Sequence, residues 1–277
     1  MTKVAIEIEP GMHHGLLNAL ASLPESYALA EDADTIALHG DASWALRAIE
    51  EISSGRRAVL VVDPGPADLT DLSRLAELAR SAAVPLVAIR GWGSNAAVQS
   101  FRTFAAAVRS GDVLCIESVA VDGPETSVVA LAMAQLDLIA TAFESRIEIE
   151  DVIGSERGWV ATCRIFLGDT DVLTTCAAAR VEGCEPIATA RAFLSEARLA
   201  LTVPDGRVAR PGTASYGDTS GETTAPFVFE SSYRSALRAF ADRRDGSSDA
   251  IEDLLRLSST IDGARSIEQA VANESTT

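Results

Sequence analysis

Two patterns of hydrophobic and polar positions divide the chain. Over the first 110 residues, short apolar runs alternate with segments whose apolar residues recur at helical spacing. The runs predict strands at 3–8, 34–40, 59–62 and 84–89. The intervening segments predict helices at 11–23, 42–54 and 95–109, with a further helix carried by Leu72, Leu75 and Leu78. Strands that alternate with helices of this length predict a parallel sheet with right-handed crossovers.

After about residue 110 the pattern changes. A strand at 112–123 and a helix at 126–143 precede five strand candidates without helices between them, which predicts an antiparallel sheet. These candidates are 146–153, 158–167, 171–181, 187–194 and 197–203. The Gly-, Ser- and Thr-rich segment 206–226 predicts an exposed loop, followed by a strand at 227–230 and helices at 231–243 and 247–272. The fold class is therefore α/β, with a parallel domain at 1–110 and an α+β domain with an open, mainly antiparallel sheet at 111–277.

Charge and composition exclude several classes of partner. The formal net charge is -17, which argues against nucleic acid and against an anionic membrane. No apolar run is long enough to cross a bilayer, and the start "MTKVAIEIEP" lacks the basic and apolar regions of a signal peptide. We therefore expect a cytoplasmic protein without a nucleic-acid or membrane partner.

Three segments carry a family resemblance. They are "AVLVVDPGPADLTDLSRLAELARSAAVPLVAI" (58–89), "ALAMAQLDLIATAF" (130–143) and the closing segment 233–267. In order and spacing, the chain resembles the Gfo/Idh/MocA family of NAD(P)-dependent sugar and polyol oxidoreductases. The resemblance implies a Rossmann-like first domain, truncated here, and a second domain whose open sheet mediates oligomerisation.

The catalytic residues of that family are replaced. With Pro64 matched to the family's proline, Asp63 stands at the catalytic lysine. With Asp137 matched to the last aspartate of Asp-x-Gly-x-His-x-x-Asp, Ala134 stands at the histidine and Ala130 at the first aspartate. A slip of the alignment restores neither group, because the only lysine is Lys3 and no histidine follows position 39. The resemblance therefore yields no confident catalytic residue.

The nucleotide motif is also altered. A dinucleotide site needs G-x-G-x-x-G after the first strand, so that the backbone approaches the pyrophosphate. The chain has "IEIEPGMHHG", in which Glu7 and Glu9 occupy the strand end and only two glycines remain. Only 16 residues separate Leu23 from Gly40, which leaves little room for a second crossover, although Glu31 or Asp32 could supply the acid that binds the adenosine ribose. We expect no cofactor, with NAD(P) as the alternative.

Polar and aromatic groups are predicted to share one rim of the parallel sheet. This candidate ligand crevice comprises His13, His14, His39, Asp63, Arg90 and Trp92. The location favours a small polar ligand. Two histidines and a carboxylate could instead bind a metal. We predict no metal, because the ligand spacing is not recognisable, Asp41 suits a helix cap and Asp63 before proline is ordinary turn chemistry.

The leading functional hypothesis is a degenerate, non-catalytic member of the family. It would act as a binding or regulatory subunit, assembling through the sheet of the second domain with itself or with an active homologue. The alternative is an NAD(P)-dependent oxidoreductase of a sugar or polyol that uses an atypical site around His39, Asp63 and Arg90. A third hypothesis is a lyase or hydrolase with a metal at the histidines.

Overall fold

The first sheet is parallel, as predicted. The structure, a computed structural model, describes residues 3–12, 14–242 and 249–274. Five parallel strands lie in the order β2-β1-β3-β4-β5. They are β1 (Val4–Ile8), β2 (Tyr27–Leu29), β3 (Thr35–His39), β4 (Ala58–Val62) and β5 (Leu86–Ile89). The connecting helices are α1 (His14–Ala21), α2 (Trp44–Ser53), α3 (Leu69–Ala82) and α4 (Ala96–Ala106).

The strand β2 was not predicted from the hydrophobic pattern. It has three residues and pairs with the first half of β1, with Val4 opposite Tyr27 and Ile6 opposite Leu29. The next strand, β3, begins opposite Ile6 on the other side of β1, so residues 30–34 are enough to connect β2 to β3 without a helix. Successive strands are added to one side of β1 before this point and to the other side after it, so the switch point of the sheet lies between β1 and β3.

Helices cover both faces of this sheet. On one face α1 packs beside α6 (Ser232–Asp242), a helix from near the end of the chain, and the Tyr27 hydroxyl donates a hydrogen bond of 2.5 Å to the Leu237 carbonyl. On the other face lie α2 and α3. All five residues of β4 are buried, as expected for a parallel strand covered on both sides.

The second sheet has eight strands in the order β13-β12-β11-β10-β6-β9-β8-β7. All neighbouring pairs are antiparallel except β6 and β9, which run parallel. The predicted mainly antiparallel sheet is thus confirmed. The strands are β6 (Val113–Asp122), β7 (Ile147–Ser155), β8 (Gly158–Leu167), β9 (Thr170–Arg180), β10 (Ile187–Leu194), β11 (Ala197–Pro204), β12 (Thr213–Asp218) and β13 (Gly221–Thr224).

Two predictions at the end of this sheet are wrong. The segment 206–226, expected to be a loop, contains the hairpin of β12 and β13. The expected strand 227–230 is irregular, and Phe227 and Phe229 are exposed. The hairpin lies at the sheet edge and β13 is exposed throughout, so it lacks the apolar alternation by which a half-buried strand is recognised.

One face of the second sheet is covered and the other is open. The helices α5 (Val128–Ala142) and α7 (Asp249–Glu274) pack on the covered face. Large apolar side chains are exposed along strands of the sheet: Leu114, Val119, Ile153, Val160 and Leu173. Within the described ranges, no helix is long and apolar enough to cross a membrane. The division of the chain into domains at residue 110 remains a prediction.

Candidate functional site

A cavity of about 310 Å³ opens at the carboxyl ends of β4 and β5, where ligands bind in parallel α/β sheets. We call it the crevice. The loops after β4 and β5 form one wall, α5 forms the second, and the loop after β11 together with the start of α6 forms the third. The side chains that matter below are those of Asp63, Arg90, Trp92, Asp137, Arg207 and Tyr233.

Asp63 follows β4 directly and lines the crevice. Its backbone has a φ of +48°, in the left-handed region, and its N–H donates to the Ile89 carbonyl at 2.8 Å. The loop after β3 presses against it: a Cβ atom at Gly40 would lie 2.2 Å from the Asp63 carbonyl oxygen. Neighbouring strands therefore hold Asp63 in a conformation that costs an ordinary residue free energy.

Tyr233 supplies the partner of this carboxylate. It is the second residue of α6, its side chain is buried, and its hydroxyl donates a hydrogen bond of 2.5 Å to Oδ2 of Asp63. Burial and the Asp63 carboxylate raise the pKa of the phenol well above its usual value near 10. The phenol therefore keeps its proton at neutral pH and donates a hydrogen bond to the carboxylate.

Arg207 brings a positive charge to the same cavity. Its guanidinium donates two hydrogen bonds of 2.9 Å to Asp205, one to each carboxylate oxygen, and this fork fixes its orientation. The loop reaches the crevice because Gly206 has no side chain: a Cβ there would lie 1.9 Å from the Gly91 carbonyl oxygen. The Gly206 carbonyl also accepts from the N–H of Ser232, which places the start of α6.

Arg90 and Asp137 form a buried ion pair behind the crevice. The Nε atom of Arg90 lies 2.7 Å from Oδ1 of Asp137, and Nη1 lies 3.5 Å from Oδ2 of Asp253. Burial raises the pKa of Asp137 to about 6, against the opposing effect of Arg90. This pair connects β5 to α5 and α7. Because its pKa is raised to about 6, Asp137 changes its protonation state in mildly acidic solution.

The structure brings together three of the six predicted crevice residues: Asp63, Arg90 and Trp92 all line the cavity. His14 is exposed at the first residue of α1, and His39 ends β3 outside the cavity lining. His13 lies outside the described residues. Ala130 and Ala134, at the family's catalytic positions, form a small-residue wall.

Two polar residues of the crevice escaped the sequence analysis. Tyr233 lies 170 positions from Asp63, and Arg207 belongs to a segment that was expected to be a solvent loop. Within the sequence the only signal for either was the matched closing segment, which begins at Tyr233.

A second cluster lies at the switch point of the first sheet, and we call it the switch-point corner: Glu9, His39, Asp41 and Arg47. The Glu9 carboxylate accepts a hydrogen bond of 2.7 Å from the His39 N–H and pairs with the Arg47 guanidinium. Arg47 also donates to the His39 carbonyl at 2.6 Å and lies 3.0 Å from Asp41. The guanidinium of Arg47 is therefore shared by two carboxylates.

The switch-point corner lies where a dinucleotide would place its diphosphate. In the usual binding mode the diphosphate lies at the end of β1, against the start of α1. Here the Glu9 carboxylate follows that strand, held in place by Arg47 and the His39 N–H. Gly11 has a φ of +88° and open space around it, but the anionic side chain stands at the approach to the diphosphate position. The residues present do not fit NAD(P) in the usual mode.

Metal ligands do not converge either. Among residues 3–12, 14–242 and 249–274, no group of three or more His, Cys, Asp or Glu side chains is arranged to hold a metal ion. Glu7, the other strand-end carboxylate, pairs with Arg56 at 2.8 Å.

Solved structures share the fold along the whole chain. No family model and no curated protein matches the sequence. The 3-ketoreductase KijD10 from Actinomadura kijaniata, in complex with NADP, is 12% identical over 96% of this chain and 97% of that chain, with a TM-score of 0.72. A putative oxidoreductase from Thermotoga maritima is 10% identical over 96% of this chain and 97% of that chain (TM-score 0.67). An oxidoreductase from Sinorhizobium meliloti is 14% identical over 97% and 98% (TM-score 0.67).

These likenesses confirm the expected α/β oxidoreductase-like fold and correct the leading hypothesis. The interpretation of the chain as a non-catalytic regulatory or oligomer-partner subunit is wrong. The three solved structures above, which match it over 96–97% of its length, are described as a 3-ketoreductase in complex with NADP, a putative oxidoreductase and an oxidoreductase. The inference equated the replacement of the family's residues with the loss of all activity, although other polar groups, among them Asp63 and Tyr233, still line the crevice.

Proposed function

We propose that this protein is an enzyme that moves a proton at a hydroxyl-bearing carbon next to a carbonyl group, in a sugar- or polyol-like substrate held in the crevice. The observation that carries the proposal is the 2.5 Å hydrogen bond between Tyr233 and Asp63 at the end of β4. A buried acid–base pair that faces a cavity beside a cation is an arrangement typical of general acid–base catalysis.

Each group has a distinct role in this proposal. The Asp63 carboxylate accepts the proton from the carbon next to the carbonyl. The Arg207 guanidinium stabilises the negative charge that develops on the carbonyl oxygen. Tyr233 holds Oδ2 of Asp63 in place through its hydrogen bond. Asp63 then returns the proton to the same carbon, to its neighbour or to a leaving group, and this restores the carboxylate. The outcome is isomerisation, epimerisation or loss of a leaving group, according to the substrate.

We propose further that this reaction needs no nicotinamide cofactor. The support is the switch-point corner, where Glu9 and Arg47 stand at the approach to the diphosphate position. Proton transfer within the substrate involves no net oxidation or reduction, so the proposed reaction needs no hydride carrier at the end of β1.

Deuterium incorporation tests the proposal without a known product. The protein is incubated in D2O with a panel of ketoses, aldoses, inosones and sugar acids, and proton NMR follows loss of the signal next to the carbonyl. We expect catalysed exchange with at least one compound, and loss of that exchange in Asp63→Asn. Glu9→Gln serves as the matched carboxylate control. Exchange that is unchanged in Asp63→Asn, or absent from the whole panel, contradicts the proposal.

Hydride transfer with NAD(P) is the second candidate. The likeness to an NADP-bound 3-ketoreductase and the open, left-handed turn at Gly11 favour it. It requires a binding mode that tolerates Glu9. Calorimetric titration with NADPH and NADH separates the candidates, because micromolar binding supports hydride transfer and absence of binding supports proton transfer alone.

For assembly, we propose a homo-oligomer formed through the open face of the second sheet. The exposed Leu114, Val119, Ile153, Val160 and Leu173 support this, since contiguous exposed apolar side chains typify interaction surfaces. Light scattering after size exclusion is expected to give a dimer or larger species, and a monomer for Val160→Glu. The control Val208→Glu, on a loop, is expected to leave the mass unchanged; a monomeric native protein contradicts the proposal.

A further inference from the structure

A second cavity, of about 390 Å³, runs along the free edge of β5. We call it the edge groove. β5 pairs with β4 on one side only, and the groove follows its other side, walled by α4, α6 and the start of α7. Arg90 lines both the edge groove and the crevice, but the two cavities otherwise use different residues. The proposed catalytic pair, Asp63 and Tyr233, does not line the edge groove.

Three arginines lie at the polar end of the edge groove, and each is paired with a carboxylate. Arg90, Arg102 and Arg256 line the groove, and Asp253 is the carboxylate among its described lining residues. That carboxylate lies between two guanidinium groups, at 2.5 Å from Nη2 of Arg256 and 3.5 Å from Nη1 of Arg90. In a chain of net charge -17, three arginines around one small cavity favour an anion.

The partner of Arg102 is readily exchanged. Its guanidinium pairs with Glu144, whose side chain is 52% exposed. Exposed ion pairs contribute little free energy, so an acidic group entering the groove can take the place of Glu144. Asp137, the other carboxylate on Arg90, belongs to the crevice side of that side chain.

The remaining wall of the edge groove is apolar. Leu86 and Val87 of β5, Val98 of α4, and Ala239 and Phe240 of α6 line it. A volume of about 390 Å³ lies within the range of small-molecule sites. We infer that the edge groove binds a small organic anion, whose acidic group contacts Arg256 and Arg102 and whose apolar body lies between β5 and Phe240.

Fluorescence of 8-anilinonaphthalene-1-sulfonate tests this site in the full chain. The native protein is expected to bind the dye and to release it to octanoate, while 1-octanol, which has the same chain without the charge, displaces it at least tenfold more weakly. Ala239→Phe fills the groove from an exposed helix position and is expected to abolish the octanoate-sensitive signal. Arg256→Gln is expected to weaken octanoate binding about tenfold.

Arg74→Gln removes an exposed arginine of α3 and serves as the charge-matched control. Octanoate binding that survives Ala239→Phe overturns the location of the site. Binding lost in Ala239→Phe but unchanged in Arg256→Gln overturns the anionic character of the ligand. If octanol displaces the dye as effectively as octanoate, the anionic character of the ligand is also overturned. If octanoate displaces no bound dye from the native protein, the whole inference is overturned.

Discussion

The switch-point corner and the crevice lie at the same edge of one sheet, yet their charges are used differently. In the corner, Glu9 takes hydrogen bonds from the His39 backbone and from Arg47, and Asp41 shares the same guanidinium. In the crevice, Asp63 accepts a hydrogen bond from the Tyr233 hydroxyl and faces a cavity that Arg207 also lines. A carboxylate paired with a guanidinium is structural, whereas one paired with a protonated phenol beside a cavity is equipped for proton transfer.

The largest expected effect is on catalytic activity, and it distinguishes the crevice from the switch-point corner. Tyr233→Phe keeps the aromatic packing and removes the hydrogen bond that positions the Asp63 carboxylate, so the rate of substrate deuterium exchange should fall by about 10²- to 10⁴-fold. Glu9→Gln still accepts from the His39 N–H and should change that rate less than about twofold. NMR exchange rates for the two variants measure the contrast, and equal losses would remove the distinction between the regions.

The next effect concerns the buried ion pair behind the crevice. Arg90→Met leaves Asp137 buried without its closest cation and should cost about 3–5 kcal/mol of unfolding free energy at pH 8. At pH 5 the cost should be smaller, because Asp137 then takes up a proton. Urea denaturation at both pH values measures the difference, and an equal cost at both would argue against burial as the cause.

The pH dependence of stability gives a third effect. The pKa of Asp137 is raised from 3.8 to about 6 in the folded protein, so its stabilising contribution is complete below about pH 3.8 and is lost as the pH rises through 6. Relative to Asp137→Asn, the native protein should lose on the order of 3 kcal/mol between pH 4 and 7, at about 1.4 kcal/mol per pKa unit. Parallel pH profiles from denaturation would contradict this.

The smallest effect belongs to the corner. Arg47→Met breaks the pair with Glu9, whose side chain is about one fifth exposed, and should cost about 1 kcal/mol. The loss should shrink in 0.5 M salt, where exposed charges are screened. A cost as large as that of Arg90→Met would mean that the corner, too, behaves as a buried site.

Most of the helices and strands could be predicted, because their buried apolar residues recur along the chain with the period of the element that carries them. The continuous apolar run of β4 and the apolar length of α5 reflect elements covered on all sides. The strand β2 was missed because three residues are too few to show a period, and the β12–β13 hairpin because its edge position leaves it polar.

The site was harder to predict than the scaffold. Asp63 and Arg90 could be placed at one rim because parallel strands end on the same side. Tyr233 could not, because its contact with Asp63 depends on α6 returning to the first sheet from the far end of the chain. The pairings of Glu9 with Arg47 and of Glu7 with Arg56 were equally hidden, and they hold both strand-end carboxylates in place.

The left-handed backbone at Asp63 has a consequence for any attempt to change the chemistry of this protein. Asp and Asn adopt that conformation more readily than most residues, and a following proline narrows the choice further. A β-branched residue introduced at position 63 alone would be strained in this backbone. The loop therefore limits which residues can replace Asp63, and redesign of the position would have to begin with the turn at Pro64 and Gly65.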